Sequence, residues 1–145
     1  MLHTVVRTCT DLQTGVLRCR HMPKTILIIE DEHDMREAIA TALKNNGYHT
    51  ITAENGEEGV DKALEIEPDL ILLDLLMPVM DGQAVLKALR EHPWGETAKV
   101  VILTAMDDIK NVGEAYEANV AGYITKSEAS LAEIVMKVKE IVEQE

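Results

Sequence analysis

Three short apolar runs, "TILIIED" (25–31), "LILLD" (70–74) and "KVVILTA" (99–105), lie far apart in the chain, and each leads into a stretch with apolar residues at helical spacing. A run this short, apolar on every position, reads as a strand covered on both faces. Two further segments, "YHTITA" (48–53) and "AGYITK" (121–126), have strand composition with polar residues interleaved. Strand and helix alternate five times. That alternation implies a parallel sheet between two helical layers. The apolar runs should be the central strands and the two mixed ones the edges, which is the doubly wound order 2-1-3-4-5.

The helices carry their own punctuation. Asp34 with Glu37 three residues on is a cap signal for the first, and Met35, Ala38, Ile39, Ala42 and Leu43 give it an apolar stripe. "NNG" (45–47) stops it. The second helix starts at Asn55 and ends before Pro68, with Gly59 expected to weaken it. A third, from about Gly82 to Glu91, buries Val85, Leu86 and Leu89, and a fourth, over 107–118, puts Ile109, Val112 and Tyr116 on one side. Ser130 and Glu133 form a capping box for the last helix, whose stripe is Leu131, Ile134, Val135, Val138 and Val142.

A chain of 145 residues is one domain's worth and needs no disulfide to hold its core. With no Phe and one Trp, that core is aliphatic. A formal net charge of −12 argues against nucleic acid or an anionic membrane as partner. No apolar run approaches the roughly 20 residues of a membrane span. Cys9 and Cys19 are the only cysteines, so a disulfide framework beyond residue 22 is excluded and a reducing, cytoplasmic setting is expected. Residues 1–22 hold three Arg and one Asp, a net +2 that leaves −14 for the remainder. They show no sustained period and read as a disordered extension ahead of a domain spanning 23–145.

In a doubly wound sheet, ligands bind beyond the carboxyl ends of the strands, at the switch point between strands 1 and 3. Strand 1 ends here in Glu30, Asp31 and Glu32, strand 3 in Asp74, strand 4 in Thr104 and Ala105, and strand 5 in Thr125 and Lys126. Carboxylates gathered at one edge repel one another unless a cation neutralises them. Oxygen-only donors suit a hard ion, Mg²⁺ or Mn²⁺. Mg²⁺ keeps several waters and uses one or two carboxylates, which leaves room for a phosphoryl oxygen. Asp74 is then a nucleophile able to form an acyl phosphate. The ion, Thr104 and Lys126 are placed to hold the phosphoryl oxygens.

The stretches "ILIIEDE", "PDLILLDLLMPVMDG", "VVILTA" and "GYITK", in that order and spacing, resemble a response-regulator receiver domain of two-component signalling. The resemblance implies a flavodoxin-like (βα)5 three-layer sandwich. Residue by residue, Asp74 resembles the phosphoacceptor, Asp31 the principal metal-binding acid and Glu30 its partner. Leu76 would offer its backbone carbonyl to the metal. Thr104 and Tyr123 match the switch pair, Ala105 the small residue that leaves the phosphoryl site open, and Lys126 the phosphate-binding lysine. Ser127 departs from the proline common after that lysine.

The function so implied is a regulatory switch rather than an enzyme. A histidine kinase or histidine phosphotransferase passes a phosphoryl group to Asp74, and the face made by the fourth helix, fifth strand and last helix changes its affinity for an effector protein. With the chain closing on that helix, action in trans, like a stand-alone chemotaxis regulator, is the expectation. Three rivals compete. An aspartyl phosphatase of haloacid-dehalogenase type generally wants a second Asp two residues after the nucleophile, where this chain has Leu76. A flavodoxin-like electron carrier needs a Gly/Ser/Thr-rich phosphate loop after strand 1, where Glu30, Asp31 and Glu32 would repel a phosphate. An unphosphorylated scaffold would have no use for the acid pocket. None of the five histidines reads as a ligand or phosphodonor.

Overall fold

The computed structural model describes residues 9–10, 17–18, 23–74, 80, 82–104, 120–126 and 129–143. Five strands form one parallel sheet: β1 (Thr25–Ile29), β2 (His49–Ala53), β3 (Leu70–Asp74), β4 (Val100–Thr104) and β5 (Gly122–Thr125). Their spatial order is β2-β1-β3-β4-β5, the doubly wound order expected. The described helices are α1 (His33–Asn45), α2 (Gly56–Ile66), α3 (Gly82–Arg90) and α4 (Leu131–Val142). The helix expected over 107–118 lies outside the described residues. A separate two-residue antiparallel ladder pairs Cys9–Thr10 with Leu17–Arg18, an element with no periodic signal in the sequence.

Side chains alternate across the sheet, and each set meets its own helices. Ile26, Ile28, Leu70, Leu72, Val101, Leu103 and Ile124 pack with Ile39, Ala40 and Leu43 of α1 and with Ile134, Val135, Val138, Ile141 and Val142 of α4. Leu27, Ile29, Ala53, Ile71, Leu73, Val100 and Ile102 pack with Ala63 of α2 and with Val85, Leu86 and Leu89 of α3. This is the three-layer sandwich. Every residue of β3 is buried, whereas β2 at the edge is half-exposed along most of its length. Each fully buried aliphatic side chain contributes about 1.5–3 kcal/mol, so the central strands anchor the fold.

Two caps follow expectation. The Asn55 side chain accepts from Glu58 N at 2.8 Å, and the Ser130 hydroxyl accepts from Glu133 N at 3.2 Å. Gly47 sits past the end of α1 with φ of 89°.

Four details differ. The N-cap of α1 is Glu32, without a side-chain cap bond, and Asp34 lies inside the first turn, where its charge still favours the helix dipole. The expected stripe of α1 is wider than read: Ile39 and Leu43 are buried and Met35 and Ala42 pack partly against the core, but Arg36 and Ala40 are buried with them. Leu131 is exposed at the start of α4, and Ile141, which the expected stripe left out, is in the core. Gly59, expected only to weaken α2, is where that helix touches the sheet. A Cβ there would lie 2.5 Å from Ile29 Cδ1.

Candidate functional site: an acidic pocket at the carboxyl ends of the strands

Register places the acids side by side. Ile29 pairs with Leu73, so Glu30, one residue on, comes level with Asp74 at the end of β3. Asp31 follows at the turn into α1. One carboxylate oxygen from each of Glu30, Asp31 and Asp74 lies within 4.8 Å of the others. Glu30 is fully buried, Asp74 is almost so, and Asp31 is exposed at the mouth.

Lys126 closes the pocket from the far side. Its Nζ lies 2.7 Å from Glu30 Oε2 and donates to Asp74 Oδ2 at 3.0 Å. To do so it reaches over the end of β4, which separates β3 from β5. The contact to Glu30 is an ion pair without the angles of a directed hydrogen bond, so Oε2 keeps an unused lone-pair direction. Glu30 Oε1 accepts from Glu32 N at 3.2 Å.

The electrostatics follow from this crowding. Burial pushes the Glu30 carboxyl up to about 7; the Lys126 ammonium opposes the rise and the Asp74 charge adds to it. Burial alone would lower the Lys126 ammonium, but the Glu30 and Asp74 carboxylates outweigh it and hold the amine above the usual lysine value. One cation facing three carboxyls leaves a net negative pocket built of oxygen donors.

The fit to a hard divalent ion rests on that donor set. Three carboxylate oxygens converge, one from a buried residue with a spare acceptor direction. Glu30, Asp31 and Asp74 can hold such an ion, with Mg²⁺ or Mn²⁺ the ones that favour all-oxygen sites.

The structure thus brings together Glu30, Asp31, Asp74 and Lys126. Thr104 ends β4 with its backbone paired to Thr125, while its side chain, Leu76 and Ala105 lie outside the described residues. Tyr123 is on β5, partly buried against the cluster that faces α2 and α3.

One residue escaped the sequence reading. Arg36 is buried behind the pocket. Its NH1 donates to the backbone carbonyls of Glu30 (2.9 Å) and Asp31 (3.3 Å), and its NH2 faces His33 Nδ1 at 3.1 Å and Glu54 Oε1 at 3.7 Å. Arginine has no acceptor, so the imidazole Nδ1 accepts. The available signal was the spacing of Arg36 with Ile39, Ala40 and Leu43, which is that of a helix core face.

Residues 26–139 match the sequence model of the response regulator receiver domain. ResD of Bacillus subtilis (strain 168), a transcriptional regulatory protein, is 37% identical over 117 residues, covering 81% of this chain and 47% of its own length. The chain spans about half the length of such curated relatives. The signal receiver domain of a signal transduction histidine kinase from Syntrophus aciditrophicus superposes with a TM-score of 0.74 at 34% identity, over 82% of this chain and 89% of that one. The receiver domain of sensor histidine kinase PA1611 from Pseudomonas aeruginosa PAO1, solved with a magnesium ion in its active-site cleft, shares the fold. It has a TM-score of 0.75 at 24% identity, over 83% of this chain and 98% of that one.

Proposed function

Since the chain belongs to the response regulator receiver domain family, we propose that it is a phosphorylation-dependent signalling switch whose phosphoacceptor is Asp74. The observation that carries this reading is the reach of Lys126 to both Asp74 and Glu30, at the spot where three carboxylate oxygens converge.

The donor is a phosphohistidine on a sensor kinase or a histidine phosphotransferase. A carboxylate oxygen of Asp74 attacks the phosphorus, the P–N bond breaks, the imidazole leaves, and an acyl phosphate forms on the side chain. Lys126 has two parts in this. Before transfer, its ammonium donates to Asp74 Oδ2 at 3.0 Å and holds that carboxylate at the pocket. After transfer, its ammonium is placed to pair with a phosphoryl oxygen. Glu30 and Asp31 would hold a divalent cation together with Asp74 and the Leu76 carbonyl. When bound, Mg²⁺ or Mn²⁺ neutralises charge between the carboxylates and the incoming phosphoryl oxygens. The protein is in this sense a substrate of phosphorylation and a regulator, and it assists its own dephosphorylation by admitting water to the acyl phosphate.

The readout involves Thr104 and Tyr123. Adding about −1.5 to −2 charge units at the pocket draws the Thr104 hydroxyl toward the phosphoryl group. Tyr123, partly buried on the edge strand against the α2/α3-facing cluster, follows inward. The surface made by β5, α4 and the segment before β5 then changes its affinity for an effector protein. The action of the longer relatives on transcription belongs to proteins of which the matched region is about half.

Incubation with acetyl phosphate and Mg²⁺, followed by intact-mass measurement, tests the assignment. Wild type gains one phosphoryl adduct and D74N gains none. Equal labelling of the two would overturn it.

A further inference from the structure

The buried Arg36 has no part in the transfer chemistry just described, yet burying a guanidinium costs several kcal/mol unless its donors are satisfied. What satisfies them is specific. A single nitrogen, NH1, bonds two consecutive carbonyl oxygens, those of Glu30 and Asp31. Both precede the N-cap of α1, so no helical N–H reaches them. Holding two successive carbonyls on one donor fixes the peptide planes at the turn from β1 into α1. Those planes determine the directions in which the Glu30 and Asp31 side chains leave the backbone, and both leave toward Asp74. On its other edge the guanidinium is itself held, by His33 Nδ1 and by the Glu54 carboxylate in the loop after β2.

We propose that Arg36 is a positioning residue for the divalent cation: by pinning the Glu30 and Asp31 carbonyls it sets the spacing of the two carboxylates, and with it the affinity for Mg²⁺. This role presupposes that Glu30, Asp31 and Asp74 hold the ion, as proposed above. Partners one shell removed from a metal typically change its affinity about 10–100-fold when lost.

The test is titration calorimetry with MgCl₂ on wild type, R36M, R36K and R90M, at a temperature where circular dichroism shows each variant folded. Arg90 is the matched control. Its guanidinium also bonds two backbone carbonyls, those of Gly95 and Ala98, but in the loop before β4. R36M should bind Mg²⁺ about 10–100-fold more weakly than wild type. R36K, whose ammonium keeps charge and one donor direction, should fall between the two. R90M should lose stability and keep wild-type affinity. A wild-type Kd in R36M, or in R36K should R36M fail to fold, overturns the positioning role and leaves the cation site standing. An equal loss of affinity in R90M also overturns it, as general loosening. Absence of Mg²⁺ binding by the wild-type protein overturns the site and the role together.

Discussion

The Lys126 ammonium lies 3.0 Å from the Asp74 carboxylate, although 52 residues and one intervening strand separate them. The same nitrogen touches Glu30 at 2.7 Å. One ammonium is therefore shared between two buried acids.

Removing it should expose the repulsion it hides. In EDTA at pH 8, Lys126→Met is expected to cost about 2 kcal/mol, below the figure for a wholly buried pair because the lysine is partly solvated. Mg²⁺ should restore much of this by binding the native state alone. Urea unfolding with and without Mg²⁺ checks the point. A metal-induced gain no larger in the variant than in wild type would contradict the shared-charge picture.

The Glu30 carboxyl, raised to about 7 from an ordinary value of 4.5, gives a pH signature. A carboxyl raised on folding binds its proton more tightly in the native state. Its contribution to stability is present in full below pH 4.5 and is lost as the pH rises to about 7. The loss is about 3 kcal/mol at most. In metal-free buffer, wild type should lose stability over that window relative to Glu30→Gln. Mg²⁺ binding near pH 6.5 should release a proton, seen as calorimetric heats that depend on the buffer's ionisation enthalpy. Buffer-independent heats would contradict it.

At Gly59 packing opposes propensity. Alanine favours a helix by about 1 kcal/mol over glycine. Here its Cβ would meet Ile29 at 2.5–3.0 Å in a filled core. Gly59→Ala should therefore destabilise by about 1–3 kcal/mol, the usual cost of overpacking. Ile29→Val, which removes the nearest carbon, should offset part of that. Thermal melts of the single and double variants measure the coupling, and strict additivity would argue against the contact.

Glu67 ends α2 in the left-handed region, φ 51° and ψ 63°, just before Pro68. A side chain there is strained where glycine is not. Glu67→Gly should stabilise the protein by about 0.5–1 kcal/mol, and a lowered urea midpoint would refute this.

Much of this molecule is legible in its sequence because the signals are local. Uniformly oily "LILLD" must be central, and interleaved "HTITA" must be an edge; the sheet order follows. Asn55 and Ser130 cap as written because a cap needs only its own next turn. Glu30, Asp31, Asp74 and Lys126 could be gathered because strand ends in a parallel sheet share one rim. Arg36 could not be read this way. A charged residue beside Asp34 and Glu37 resembles a solvated face, and its partners are backbone carbonyls, which no residue type announces. Gly59 misled for a related reason: its missing Cβ matters only because Ile29 stands opposite, thirty residues away. The start of α1 slipped because Glu32 ends the preceding turn without a side-chain bond, leaving Asp34 as the more visible signal.

The bridge over β4 has a mechanical corollary. A methylene tether with four rotatable bonds links the rim of a central strand to the loop beyond an edge strand. When its ammonium trades one oxygen for another, the pull falls on the backbone at Lys126, one residue beyond the last rung of β5. News of an event at Asp74 can thus leave the middle of the sheet without the sheet itself having to bend.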